Sequence, residues 1–423
     1  MKGWRVNLYA VCGAQLLTLI GFSSYLSFIP YYLQTLTGCS DTEAMNWAAG
    51  FQTAGMLAMM VAAPIWGGLA DRFGRKMMLI RSTGAAMILV VLMSLVTSPA
   101  HLVALRILQG MFCGTVSAAM TLVATGTPER SLGRSLGMLQ MTQFLAHAVG
   151  PFLGGLAADA FGYRAVFPAA AGLMALSTAA IVFLVRETRD PKAPVRALPR
   201  ARLNLSPRGI AQLVGVNSLL LIGSLAGASF ANSVLAPVIP MYVKHLAPDS
   251  PRLATLAGSL TSIAAVAAAI AAVGIGWVAD RFGQKLTLVL SMIGVALLAI
   301  PQAFVTTAGQ LMIWRGVHGM FMGGIMPTAN ALLARSTPPG RRGGVLGFSA
   351  GAQAGGNALG PTVGAAVANA FGMSSSFFAT SVVFALLTTL VAAFVRVDSS
   401  ANGEGSPVIT SAPLKPARSK RGG

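Results

Sequence analysis

Two charged positions recur inside apolar sequence with the same local grammar. Arg106-Ile-Leu-Gln109-Gly110 and Arg315-Gly-Val-His318-Gly319 each lie near the start of a long hydrophobic run. An ionised side chain in lipid is costly, so it faces a protein interior, water or the interface. On a helix, residues three apart are neighbours, which sets Arg106 beside Gln109 and Arg315 beside His318. An imidazole titrates near neutral pH, so His318 is a candidate proton-responsive group. The bland alternatives are a buried, neutral, hydrogen-bonded His318 and an Arg106 that snorkels to the interface. A second pair is acidic. Gly67-Gly-Leu-Ala-Asp71-Arg72-Phe-Gly74-Arg75-Lys76 and Gly276-Trp-Val-Ala-Asp280-Arg281-Phe-Gly283-Gln-Lys285 place Asp71 and Asp280 at the ends of apolar runs. A negative charge at a helix C-terminus is disfavoured by the helix dipole and needs a partner. Nearby cations or a helix N-terminus from elsewhere in the chain would serve, and Gly67 and Gly276 would permit close approach. The chemistry is then a charge latch that holds two bodies together at that end.

The elements that must position these groups follow from the repeat. Asp71 and Asp280 are offset by 209 residues, as are Arg106 and Arg315; Gly150-Pro151 and Gly360-Pro361 are offset by 210. Three matched places mean an internal duplication. The 423 residues are 55% hydrophobic and 10% charged, where soluble domains carry about 25% charge. Crossing a bilayer takes roughly 20 apolar residues per helix. Twelve such spans are expected, at 7–34, 45–70, 77–97, 102–126, 135–159 and 164–186, then 209–243, 253–279, 286–306, 310–335, 343–370 and 375–396. The fold class is all-α integral membrane, with two pseudo-symmetric six-helix bundles at 1–186 and 209–397. A cytoplasmic linker at 187–208 joins them and a disordered basic tail occupies 398–423.

The formal charge of +19 invites a nucleic-acid reading, but its distribution opposes one. Of the 30 Lys and Arg, only Arg164, Lys244 and Arg252 fall on the side opposite the termini, and Arg106 and Arg315 fall within spans. That is the positive-inside pattern of a multi-pass protein with both termini cytoplasmic. The linker and the tail cations Lys415, Arg418, Lys420 and Arg421 are solvated or touch anionic lipid. The first apolar stretch is too long for a signal peptide and reads as a retained span. Cys12, Cys39 and Cys113 form no disulfide or metal framework.

Further motifs lie within the spans. The fifth carries Gly137, Ala146, Gly150-Pro151 and Gly154-Gly155. Pro151 cannot donate to the carbonyl of His147, which frees that group inside the membrane, and the glycines give a packing face and a bend. His147 itself sits near mid-span, a candidate for the translocation path. The first span carries Ser24, Tyr25 and Pro30-Tyr31, and the seventh Asn232, Pro237 and Pro240. With Asn330 of the tenth span, Ser24, Tyr25, Tyr31 and Asn232 are the candidate lining of an adaptable, mostly apolar cavity.

The block at 67–76 resembles the signature loop of the major facilitator superfamily, and the resemblance covers the chain to residue 397. The Arg106/Gln109 motif is similar to one in proton-driven members, where the arginine is linked to proton transfer. The fifth-span motif resembles that of the drug:proton antiporters, with Ala146 in place of a glycine. General similarity over residues 5–186 points within that family to the MdtG-like multidrug exporters. The resemblance implies a monomeric bacterial inner-membrane exporter that exchanges protons for hydrophobic or amphipathic small molecules by alternating access. Arg106, Gln109, His147, Arg315 and His318 would be the coupling groups. An exporter of one metabolite or sugar on the same fold is the alternative, and a non-transporting sensor with the fold is another. One departure matters: none of the eleven Asp and Glu lies mid-span, which leaves the proton carrier and any preference for cations open. No phosphate-cradling loop, nucleophile–base set or metal cluster is present in the sequence, so no enzyme, cofactor or metal is expected.

Overall fold

The computed structural model describes residues 3–112, 114–186, 215–337 and 342–395. The side chains of Gly67, Asp71 and Arg72, together with the linker 187–208, the tail 398–423 and Cys113, lie outside the described residues. The first half contains α1 (Gly3–Leu26), α2 (Ile29–Thr37), α3 (Asp41–Phe73), α4 (Arg75–Ser94), α5 (Pro99–Phe112), α6 (Thr115–Gly126), α7 (Glu129–Phe161) and α8 (Tyr163–Leu184). The second contains α9 (Val216–Val234), α10 (Val238–Leu246), α11 (Leu253–Phe282), α12 (Gln284–Gln302), α13 (Ala308–Arg335), α14 (Arg342–Phe371) and α15 (Ser375–Phe394). Each half supplies six spans.

Nine stretches among the described residues are long and apolar enough to cross a membrane by length and composition. The other three spans, α3, α13 and α14, are helices of 33, 28 and 30 residues in which glycine and polar side chains are more frequent. Helices can be this hydrophobic all round because lipid and bundle interior are both apolar.

Three spans are broken rather than continuous. Span 1 divides at Ser27–Phe28, where Pro30 at the head of α2 cannot donate to the preceding turn. Span 7 divides in the same way at Leu235–Pro237, with Pro237 at the N-cap of α10. Span 4, expected as one helix, breaks between Phe112 and Thr115; the Trp66 indole donates to the carbonyl of Met111 at 2.6 Å beside the break.

The duplication is visible in the packing. In the first half α1 packs on α7 and α8, α3 on α5, and α4 on α8; in the second α9 packs on α14 and α15, α11 on α13, and α12 on α15. Equivalent hydrogen bonds recur. Tyr32 Oη donates to Met93 O at 3.1 Å and Tyr242 Oη to Gln302 O at 3.3 Å. Lys76 Nζ donates to Val182 O at 2.8 Å and Lys285 Nζ to Ala392 O at 2.9 Å. In each signature block the final glycine has its own reason: Gly74 and Gly283 join consecutive helices with φ of 90° and 93°, a region other residues avoid.

Candidate functional site

The halves join through two helix pairs, α7 with α11 and α3 with α14. The small-residue motif of span 5 makes the first of these. On one face of α7, a Cβ at Gly150 would strike Ser23 and one at Gly154 the carbonyl of Ser24, so α1 lies directly against this stripe. Ser23 Oγ donates to Ala146 O at 3.1 Å on the same face. On the next face, a Cβ at Gly155 would meet Ala254 O at 2.4 Å, and one at Gly258 would meet Pro151 O at 2.1 Å. Those glycines let α7 and α11 touch backbone to backbone. The matching glycines of α14 pack on α9: a Cβ at Gly360 would strike Phe230 O and Ser233, and one at Gly364 would strike Val234 O.

This contact is confined to one end. Gly137 lies eighteen residues before Gly155, and Gly276 eighteen after Gly258. About 3.6 residues per turn puts each pair on one helix face, about 27 Å apart along the axis. At Gly137 and at Gly276 nothing lies within 4 Å of an added Cβ. The two helices therefore diverge from the end that holds Gly155 and Gly258 towards the end that carries the signature blocks. The close approach expected at Gly276 is not made in this conformation.

Hydrogen bonds tell the same story. Across the boundary, Lys244 Nζ lies 2.7 Å from Asp41 Oδ1 and 3.1 Å from Gln34 Oε1. Tyr31 Oη donates to Pro240 O. Thr53 Oγ1 donates to Ala358 O at 2.7 Å, and Asn369 Nδ2 to Asn46 Oδ1 at 2.7 Å. Asp159 accepts from the backbone N–H of Ala254 at 3.1 Å and Thr255 at 2.7 Å. All but the Thr53 bond, which lies near mid-span, lie at the end away from the signature blocks. Burial opposes ionisation of Asp41, but the bonds from Lys244 and Gln34 outweigh it and hold the carboxyl below its ordinary range.

At the opposite end, Asp280 is exposed and makes no hydrogen bond or ion pair among the described residues. Arg281 lies over Trp277 and Phe282, at 5.5 and 5.6 Å from the ring centroids, and Lys285 is committed to Ala392. The partners that sequence proximity offered to Asp280 are thus turned elsewhere. Arg75 and Lys76 of the first block are engaged.

Arg106 does not snorkel. It is 4% exposed, and its Nη1 donates to Gln109 Oε1 at 2.6 Å. The guanidinium lies 4.7 Å from the centroid of Phe22 and 5.1 Å from that of Phe51. Its Nε crosses Gly55, where a Cβ would stand at 2.5 Å; Gly110 in turn rests on the Gly55 carbonyl. Tyr25 Oη shares Gln109 Oε1 at 3.2 Å. Arg315 and His318 are buried at 7% and 2% exposure, yet Arg315 Nε and Nη1 and His318 Nε2 find no hydrogen-bond partner among the described residues. The two motifs are unequal: Arg106 and Gln109 are bonded to each other, although Arg106 Nε and Gln109 Nε2 find no partner among the described residues, whereas Arg315 and His318 make no such bond.

The remaining candidates divide. His147 is exposed, with Nδ1 2.8 Å from Gln143 O. By helix geometry it falls between the face that packs on α1 and the face that packs on α11. Its repeat partner is Asn357, whose Oδ1 accepts from Ser233 Oγ at 2.8 Å. Asn232 is exposed and Asn330 half-buried. Ser24, Tyr25 and Tyr31, expected to line a cavity, are placed otherwise. Ser24 is buried against Gly154, Tyr25 is sealed between Gln109 and Phe167, and Tyr31 is part of the closed contact between halves. Sequence pattern gave no sign of Gly55, Asp159, Asn357 or the Asp41–Lys244 pair. The signal available for Asp159 and Lys244 was a charge at a span end on the side poor in cations.

A family model described as Major Facilitator Superfamily matches residues 11–256 and 221–421. The chain belongs to the Major Facilitator Superfamily. Facilitator-superfamily relatives include the multidrug resistance protein MdtG of Rahnella sp. (strain Y9602), 33% identical over 381 residues, covering 90% of this chain and 91% of the relative. MdtG of Escherichia coli (strain K12 / DH10B) is 32% identical over 379 residues, covering 89% and 91%. The fold matches the nucleoside transporter NupG with a TM-score of 0.75 at 13% identity, covering 94% of this chain and 100% of that one. It matches a D-xylose–proton symporter with a TM-score of 0.73 at 16% identity, covering 92% and 98%. As a superfamily member this chain is a multi-pass membrane transporter of small molecules, not an enzyme.

Proposed function

We propose that the chain exports hydrophobic or amphipathic small molecules in exchange for protons, as a monomer in a bacterial inner membrane, with both termini cytoplasmic. The observation that carries the alternating-access part is the divergence of α7 and α11. They touch at Gly155 and Gly258 and part at Gly137 and Gly276. With the basic loops inside, this conformation is closed to the outside and open to the cytoplasm. Asp280, the second-half signature carboxylate, is then without a partner because the inner latch is undone. The MdtG relatives carry the multidrug reading, and the fifth-span motif favours export.

The coupling groups are Arg106 with Gln109, Arg315 with His318, and His147; the latch groups are Asp71 and Asp280 with Arg72, Arg75 and Arg281. The interior offers no mid-span carboxylate to pair with a cationic drug, and it buries two guanidinium groups. Neutral or anionic amphiphiles suit it better than isolated cations, because an unpaired positive charge gains no partner there.

Dye efflux from proteoliposomes with an imposed pH gradient tests the reading, with wild type set beside His147→Ala and His318→Ala. Gradient-driven efflux is expected in the wild type and is lost in the variant that removes the proton carrier. A folded wild type that moves no dye with any gradient sinks the multidrug reading and leaves the narrow-substrate exporter.

A further inference from the structure

We propose that Asp159 is a proton-sensing lock on the outer side of the transport cycle: a positioning residue that ties the two halves together only while it is a carboxylate. The inference rests on the alternating-access reading above. Asp159 lies in the last turn of α7, half-buried, at the end where the halves touch. Its two oxygens accept from successive backbone N–H groups of the other half, Ala254 at 3.1 Å and Thr255 at 2.7 Å. These belong to the first turn of α11, whose leading N–H groups have no acceptor within their own helix. Arg252, the N-cap residue, supplies no side-chain bond. A carboxylate from one half thus caps a helix of the other.

The tie depends on charge in two ways. A negative group is favoured at a helix N-terminus, and charge-assisted hydrogen bonds are about twice as strong as neutral ones. Protonation removes the charge and turns one oxygen into a donor, which then faces an N–H that has lost its acceptor. The position 210 residues on provides the contrast. There Asn369 bonds Asn46, in the second turn of α3, through neutral amides at 2.7 Å. The two pseudo-symmetric junctions therefore differ: one is fixed and one can be switched by a proton.

The ionisable groups around Asp159 are the Tyr163 phenol on α8 and the Tyr31 phenol on α2. Arg252 starts α11, and at the same end stand the Asp41–Lys244 pair and His245. Phenols, lysine and arginine keep their charge state through mild acid; the groups of other type at this end are the carboxylates Asp159, Asp41, Glu43 and Asp249 and the His245 imidazole. In antiport the side that donates the proton is the side to which the site must open. A proton on Asp159 would release α11 from α7 at that side, and the carboxylate would have to re-form before closure.

Paired spin labels at Thr97→Cys and Thr306→Cys, in a cysteine-free full-length protein in lipid vesicles, report outer opening without any substrate. From mildly alkaline to acidic pH the wild-type ratio of outer-open to outer-closed distances should rise about tenfold, the scale of one hydrogen bond to a charged group. Asp159→Asn should stand near the acid level already at mildly alkaline pH and keep only the smaller response of the Asp41–Lys244 pair, and Asp159→Glu should restore the larger pH response. Asp41→Asn should keep a pH response, which separates the two carboxylates. An Asp159→Asn variant that retains the wild-type profile overturns the lock. So does a pH-invariant wild type whose inner-end labels still move with substrate, and alternating access then stands. Labels fixed at both ends under every condition would remove alternating access and the lock together.

Discussion

Arg106 Nη1 donates to Gln109 Oε1 at 2.6 Å, and the same oxygen accepts the Tyr25 hydroxyl at 3.2 Å, so one amide joins a buried cation of span 4 to span 1. The repeat places Arg315 beside His318, where no such acceptor is engaged. A planar fork that also stacks between Phe22 and Phe51 is not replaceable by an ammonium group. Arg106→Lys should lower gradient-driven efflux at least tenfold, in keeping with about 1.5–3 kcal/mol for a hydrogen bond to a charged group. Rates in proteoliposomes with and without a pH gradient check this; unchanged gradient dependence would exclude Arg106 as a coupling residue.

Gly258 and Gly276 share one face of α11 but predict opposite phenotypes. A side chain at Gly258 meets the Pro151 carbonyl at 2.1 Å, an overpacking that costs about 1–3 kcal/mol. Gly258→Val should therefore disfavour the present conformation and expose outer-side positions to membrane-impermeant thiol reagents. Gly276→Val meets nothing here, and should instead hinder closure at the inner end. Labelling rates from each side of the membrane would refute this pairing if both variants shifted the same way.

Asp280 makes no bond among the described residues in this conformation, so Asp280→Asn should leave the thermal stability of this state within about 0.5 kcal/mol, as for other surface changes. On the proposed latch, which would form in the other conformation, transport should fall all the same. A variant with normal efflux would remove the latch, and a large drop in melting temperature would show that Asp280 serves this conformation instead.

The Asp41–Lys244 pair carries a sign that can be checked. The Asp41 carboxyl is depressed in the folded state, so its contribution is fully present above the ordinary carboxylate pKa and is lost as pH falls through the lower folded value. Both partners are more than one-third exposed, so the contribution is at most about 1 kcal/mol and is weakened by salt. Lys244→Gln should loosen the outer contact near neutral pH and flatten this part of its acid response. Outer-label distances at low and high salt read the effect, and a tie insensitive to salt would show that the pair is not electrostatic.

Much was legible from order alone. Hydrophobic run length placed the spans, and the 209–210 offset placed the two halves, because a bilayer demands helices of a set length and a duplication copies their spacing. The roles of Gly74 and Gly283 as turn residues were within reach of the signature blocks. Span 4 misled, since its long apolar run conceals the break between Phe112 and Thr115. Ser24, Tyr25 and Tyr31 have the composition of a binding surface, yet packing against Gly154, Gln109 and Pro240 consumes them.

The sequence by itself determined the membrane class, the duplication, the two bundles and the presence of charges that lipid would not tolerate unsupported. Tertiary structure alone decided at which end α7 and α11 touch, that Arg106 is bonded to Gln109 while Arg315 has no such acceptor, and that Asp159 caps a helix of the opposite half. The physical reason is range. Hydrophobicity and helical period act between residues a few positions apart, whereas Asp159 and Thr255 are 96 positions apart and meet only where two helices cross.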